Sequence, residues 1–191
     1  MAWAPDYATT AELRAYATRS TETVDDVELA LAVTAASRGV DWATHRQFGS
    51  VAAEERTYPA RYERRRGRWL VEVDDLMTTV GLVVAGVAYS AELHQLEPVN
   101  APQRGRPWEV IVLTSWPGDD PIVEAAWGWT AVPSPVKNAT LLQGSRVFSR
   151  RTSPHGIAGS PELGSELRLL AKLDPDVAVM VAPYVRWWGA R

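Results

Sequence analysis

Three times in its last third the chain sets a strong helix cap directly before a proline: Ser134-Pro135, Ser160-Pro161 and Asp174-Pro175. A Ser or Asp side chain satisfies backbone N–H groups that have no intrahelical partner, and proline at the first helical position gives up an N–H that would be orphaned anyway. The pattern predicts three helices, over about residues 135–151, 161–173 and 175–183, followed by an exit through Tyr184, Arg186, Trp187 and Trp188.

The opening of the chain is helical as well. Thr9 and Glu12 form a capping-box pair, which predicts a short helix over residues 11–18. Thr23 is placed to cap a longer helix whose first turn holds Asp25 and Asp26, both favoured at the positive end of the helix dipole. Val27, Leu31, Thr34 and Ala35 then follow at helical spacing. Gly39 is expected to end this helix, and Asp41 to cap a separate piece over residues 42–47 that brings Trp42, Arg46 and Phe48 to a junction.

From Arg56 the period drops to two. Tyr58, Tyr62, Trp69, Val71 and Val73 alternate with polar residues on either side of Arg64-Arg65-Arg66-Gly67, which predicts a hairpin with a basic tip. Further strands are expected over residues 80–87 and 108–115, with a loop over 98–107 between them and Trp127-Gly128-Trp129 closing the region. The expected fold is therefore α+β: one domain in which helices from residues 1–54 and 134–184 make a bundle, a small antiparallel sheet over residues 55–133 is inserted between them, and residues 185–191 form a tail. A length of 191 residues suits a single domain.

Composition narrows the function classes. The chain has no cysteine, and its histidines, His45, His94 and His155, are scattered, so neither a structural metal nor a catalytic triad is expected. The acidic pairs Asp74-Asp75 and Asp119-Asp120 lie beside residues that mark turns and are expected to be turns. No phosphate-binding glycine loop or metalloprotease motif occurs, so no cofactor and no enzyme activity are expected. The net charge of -3 argues against coating nucleic acid with the whole surface, although Arg61, Arg64, Arg65, Arg66 and Arg68 make a local positive patch. The most apolar stretch, residues 76–91, is too short and too rich in Thr and Gly to cross a bilayer, and the first residues lack a basic start followed by an apolar run. A product that stays in the cytosol of its maker, with no membrane contact, is expected.

Several stretches, in order, resemble the head-to-tail adaptor, or head completion, proteins of long-tailed bacteriophages. They are Tyr7-Ala-Thr-Thr-Ala-Glu-Leu, the acidic Val24-Asp-Asp, Val40-Asp-Trp-Ala-Thr-His-Arg-Gln-Phe and Val73-Asp-Asp-Leu. Val132-Pro-Ser-Pro-Val-Lys-Asn-Ala, Arg150-Arg-Thr-Ser-Pro-His-Gly and Leu173-Asp-Pro-Asp-Val ahead of Pro183-Tyr complete the set. The resemblance implies a virion protein, made in the host cytoplasm, that forms a ring of about twelve copies beneath the portal, joins the head to a head-closure or tail-connecting protein, and continues the DNA channel.

Site expectations follow from this resemblance and from composition. Tyr184, Arg186, Trp187 and Trp188 are expected to reach the portal, since aromatic and Arg side chains anchor interfaces. Arg146, Arg150 and Arg151 are expected to line the channel and balance phosphate charge without reading sequence. Arg64, Arg65 and Arg66 are expected to meet a neighbouring copy, with Asp25 and Asp26 as their partners. The competing expectation is a small DNA-binding or packaging accessory protein that uses the basic hairpin.

Overall fold

The computed structural model describes residues 4–17, 25–150, 157–158, 167–168 and 174–186. The class is mixed α+β, and the chain divides into two compact units: one joins Met1–Gln47 to Val132–Arg191, the other spans Phe48–Ala131.

In the first unit, helix α1 (Thr10–Ala17) starts on the predicted capping box. Glu12 N–H donates to Thr9 Oγ1 at 3.2 Å while Thr9 N–H donates to Glu12 Oε2 at 2.9 Å. Helix α2 (Asp26–Thr44) is capped by Asp25, whose carboxylate accepts from Val27 N–H at 2.9 Å. The expected cap, Thr23, lies outside the described residues.

Two expectations for α2 are overturned. The helix runs through Gly39 and ends at His45, which takes the left-handed conformation at φ 54°. A mid-helix glycine costs only about 1 kcal/mol, whereas Leu29, Ala32, Val33, Ala36 and Val40 keep one face buried on both sides of it. The separate helix capped by Asp41 does not form either. The Asp41 carboxylate instead accepts from the Tyr7 hydroxyl and pairs with Arg38 at 2.9 Å. Ser37 and Thr44 are buried without penalty because their hydroxyls donate to the carbonyls of Val33 and Val40 one turn earlier.

Helix α3 (Ser134–Arg150) buries Val136, Ala139, Thr140, Gly144 and Phe148. Gly144 allows a close approach: a Cβ there would sit 3.2 Å from Leu13 Cδ1, so the Leu13 side chain would have to give by a few tenths of an ångström. Leu13, Leu29, Ala32, Val33 and Phe148 form one apolar cluster, and Lys137 pairs with Glu12 beside it. Helix α4 (Pro175–Val181) begins as the Asp-Pro signal predicts, with Asp174 accepting from Asp176 N–H at 2.8 Å, and it turns Val177 and Val181 inward. The Ser160-Pro161 signal fails where it can be followed. Leu167–Arg168 (β10) pairs antiparallel with Ile157–Ala158 (β9), which places extended backbone inside the expected helix over 161–173. Gly164 weakens that helix, and Ser-Pro is equally a turn starter. The rest of that stretch lies outside the described residues.

The second unit holds two antiparallel sheets. One has the order β2 (Ala60–Glu63), β3 (Arg68–Leu76), β7 (Trp108–Leu113), β6 (His94–Glu97). The other has the order β1 (Glu54–Thr57), β8 (Ile122–Ala125), β4 (Val83–Val84), β5 (Val87–Ala88). The register sets Tyr62 opposite Trp69 and Trp69 opposite Leu113, so Val71, Ile111, Leu96 and Leu113 share the inner face with Val84, Val123, Ala125 and Trp127. The basic hairpin forms as predicted, with Gly67 at φ 64° closing the turn. The strand expected over residues 80–87 is instead a two-residue hairpin that turns at Ala85 and Gly86, both at positive φ, as a tight hairpin turn demands. Val80 is left 79% exposed.

Asp74 and Asp75 do not make a turn. Both lie in β3, where the register shifts between Glu72 and Leu76. Asp74 accepts from Arg56 Nη1 at 2.7 Å and from the Tyr58 hydroxyl at 2.8 Å. Asp75, 6% exposed, accepts from Trp129 Nε1 at 2.7 Å. Each carboxylate is inside a strand because a distant donor satisfies it there.

Gly128, between the buried Trp127 and Trp129, has φ 99°, and a Cβ on it would lie 2.1 Å from the Gly49 carbonyl oxygen. Gly128→Ala is expected to lower unfolding free energy by about 2 kcal/mol or more, since both the backbone conformation and the space exclude a methyl group. Urea unfolding checks this, and an unchanged midpoint would refute it.

Candidate interaction surfaces

Helix α2 carries two apolar stripes, and only one is buried. Val27 is 64% exposed, Leu31 67% and Trp42 83%, with Thr34 and Ala35 exposed between them. The spacing of Val27, Leu31, Thr34 and Ala35 is helical, as the sequence indicates, yet it runs along the solvent side. A second stripe through Leu29, Ala32, Val33, Ala36 and Val40 takes the core. Both stripes are visible in the sequence. What separates them is packing: the inner stripe includes two alanines, Ala32 and Ala36, that let α2 approach α1 and α3 closely.

The end of the described chain is tied to the end of α2. Arg46 Nε donates to the Tyr184 carbonyl at 2.7 Å, and Arg186 N–H donates to the Thr44 carbonyl at 2.8 Å. A helix leaves its last carbonyls without intrahelical partners, so Arg186 serves as a cap from outside the helix. Tyr184 and Arg186 are thus held by their backbones on their own subunit, with half-buried side chains. Trp187 and Trp188, expected to act with them, lie outside the described residues.

The arginines of α3 occupy successive turns at its end. Arg146 pairs with Asp174, the residue that caps α4, and Arg150 is half-buried. Arg151 lies outside the described residues. Asp25 is the cap of α2, and Asp26 pairs with Arg14 while staying exposed.

In the second unit the hairpin tip places Arg64, Arg65 and Arg66 in solvent. Arg66 is neutralised by Glu97 at 2.9 Å and Glu63 at 3.4 Å, and Arg61 by Glu72 at 3.4 Å. Arg64, Arg65 and Arg68 form no ion pair with a described residue. Sequence reasoning missed an aromatic feature on the same pair of strands. Tyr62, Trp69 and Trp116 form a step of rings with centroids 5.0 and 6.5 Å apart, and Tyr62 is 48% and Trp116 60% exposed. Tyr62 and Trp69 are strand neighbours only through their register, and Trp116 joins them from the far end of β7.

The polar centre of this unit has a structural character. Arg56 lies 5.1 Å over the Trp127 ring, bonded to both Glu54 and Asp74. Burial, and then the Asp74 carboxylate, push the Tyr58 hydroxyl well above the usual tyrosine range, so Tyr58 remains a proton donor to Asp74. His94 is buried, stacked on Tyr89 and bonded to Ser90. Among the described residues no group of three or more His, Cys, Asp or Glu is placed to hold a metal ion, and no helix is long and apolar enough to cross a membrane.

Asp41 offers a test of the α2 core. Burial raises its carboxyl above the usual 3.8, against the opposing pull of the Tyr7 hydroxyl and Arg38. A folded-state pKa above the unfolded one means that this group's contribution is fully present below pH 3.8 and is lost as pH rises through the folded value. Asp41→Asn is therefore expected to gain stability relative to wild type as pH rises across that window. Thermal melts over a pH series check it, and a difference that moves the other way would contradict the assignment. No family model and no curated protein sequence matches the chain.

Proposed function

We propose that the chain is a head-to-tail adaptor of a long-tailed bacteriophage. It assembles as a ring of about twelve copies beneath the portal, joins the head to head-closure or tail-connecting proteins, and continues the DNA channel. The observation that carries the reading is the outer stripe of α2: Val27, Leu31 and Trp42 are mostly exposed on a helix whose opposite face is fully buried. Apolar side chains lined up on a rigid helix are what a neighbouring copy or a portal surface covers.

Magnitudes say how such a joint works. Covering three large apolar side chains contributes about 1.5–3 kcal/mol each, while rigid-body association of two proteins costs roughly 4–15 kcal/mol. One joint alone is marginal. Assembly on a portal template, where each copy gains two neighbours and a platform, is favourable, so isolated copies are expected to associate weakly.

In this reading the helices from the two ends of the chain make the bundle that forms the body of the ring. The close approach of Gly144 to Leu13 and the Lys137–Glu12 pair support that role. Tyr184 and Arg186 are tied to the end of α2, and with Trp187 and Trp188, the next residues in sequence, they are assigned the portal contact. The belt that faces DNA is assigned to Arg146, Arg150 and Arg151, with Arg146 also paired to Asp174. The uncompensated Arg64 and Arg65 favour one other reading, a DNA-binding accessory protein.

Light scattering after size exclusion, on the chain alone and with the portal protein of the phage that encodes it, separates the two. A ring on the portal is expected, and Leu31→Ser with Trp42→Ser is expected to weaken its formation at least about tenfold, a loss of ~1.4 kcal/mol. Deleting residues 187–191 leaves the bonds of Tyr184 and Arg186 in place and is expected to abolish portal attachment without unfolding the subunit. A monomer that ignores the portal and binds duplex DNA tightly would overturn the adaptor reading.

A further inference from the structure

The basic hairpin of the sheet unit has opposite, unpaired charges at the two ends of one aromatic surface. At its tip, Arg64 and Arg65 are exposed and form no ion pair with a described residue. Next to the tip stand two half-exposed rings, Tyr62 and Trp116, stepped across Trp69. A Cβ on Gly67 would lie 3.8 Å from the Tyr62 hydroxyl, so this ring reaches up to the turn.

The other end is acidic. Asp119 and Asp120 are exposed, and neither carboxylate has a partner among the described residues. Their loop is held against β2, because the Asp119 carbonyl accepts from Ala60 N–H at 2.7 Å and the Pro121 carbonyl from Tyr58 N–H at 3.2 Å. The chain therefore runs antiparallel along the edge of β2 that does not pair with β3, with Trp116 toward the tip and the aspartates toward the base. Ala60 and Arg64 are four residues apart, about 13 Å of strand at ~3.3 Å each, and the rings lie between the two charges. Within one copy they do not meet.

The surface is thus bipolar, and its occupant must be bipolar in the reverse sense. A nucleic-acid strand suits one end only, since phosphates drawn to Arg64 and Arg65 and passing along the rings run onto Asp119 and Asp120. A simple cation suits the other end only. A second copy of this chain offers both, its acidic loop for the arginine tip and its arginine tip for the acidic loop. Guanidinium groups also stack on aromatic faces, so an arginine tip matches the rings as well as the carboxylates.

We propose that the arginine tip of one copy docks on the Tyr62–Trp116 step and the Asp119-Asp120 loop of the next. Arg64 and Arg65 face Asp119 and Asp120 across the joint, with the Trp116 ring against a guanidinium. The contact is heterologous, repeats from copy to copy, and rests on the self-assembly of the adaptor reading. It keeps Arg64 and Arg65 against a neighbouring copy but changes their partner, since Asp25 caps α2 and Asp26 pairs with Arg14. Arg66, which Glu63 and Glu97 neutralise, drops out of the contact. Exposed charge pairs add little strength each, so this joint sets the register between neighbours while the outer stripe of α2 supplies the buried area.

The chain contains no cysteine, so single cysteines report the contact directly. Full-length Arg65→Cys and Asp120→Cys variants are mixed in equal amounts without portal and oxidised, and the mixed disulfide dimer is compared with the two self-dimers. The mixed dimer is expected to exceed either self-dimer by about tenfold, and to fall to the ratio of random pairing in 1 M salt, where charges are screened within about 3 Å. Trp116→Ala in the Asp120→Cys chain is expected to lower the excess, which charge attraction alone would not do. Arg64→Glu in the Arg65→Cys chain is expected to remove it, and Asp119→Arg in the partner chain to restore it. A random ratio at low salt, an excess indifferent to Trp116→Ala, or a failed rescue would overturn the contact, and would leave the adaptor reading intact wherever wild type still forms a ring on the portal. A rescued excess from a chain that ignores the portal would retire the ring and keep the contact.

Discussion

The approach of α1 to α3 at Leu13 and Gly144 governs the helical unit. Because α3 has no side chain there, Leu13 fills the space, and the small-residue stripe of α2 comes down onto the same cluster with Phe148. Helix α2 can bury only one of its two apolar stripes, and this contact selects the stripe through Leu29, Val33 and Val40. The other stripe, through Val27, Leu31 and Trp42, is left in solvent as a consequence of how the inner one packs. A surface suited to assembly is thus a by-product of core packing, and it is as rigid as the core that presents it.

The sheet unit follows a second constraint, the satisfaction of buried polar groups. Trp129 Nε1 donates to Asp75, Trp127 Nε1 donates to the Glu54 carbonyl at 2.9 Å, and Arg56 joins Glu54 to Asp74. Together these bonds tie β1, β3 and the Trp127-Gly128-Trp129 segment across both sheets. With every partner spoken for in that centre, the charges left for other molecules collect at the hairpin tip, where no buried group competes for them.

Much of this was legible in the sequence wherever the cause is local. The capping box of Thr9 and Glu12, the Asp174-Pro175 start and the Gly67 turn each satisfy or bend the backbone within a few residues, and each is where the residues say. The misreadings share a non-local cause. Gly39 stops a helix by propensity, but burial on both sides of it outweighs that cost. Asp74-Asp75 reads as a turn until Trp129, 54 residues away, and Tyr58 supply donors. Strands β6 and β8 are four residues each, too short for period to reveal them. The ring step of Tyr62, Trp69 and Trp116 depends on register and on the end of β7, and the solvent side of α2 on which of two stripes packs better. No single stretch of sequence contains either fact.

Hydroxyl-radical footprinting of Trp42 and Leu31, in the isolated chain and in portal-bound assemblies, tests the central claim most directly. If the outer stripe of α2 is the surface that assembly covers, both residues react readily in the free chain and become protected by about tenfold or more once a neighbour excludes water from them. Equal reactivity in the two states would show that the stripe stays in solvent, and would contradict the account.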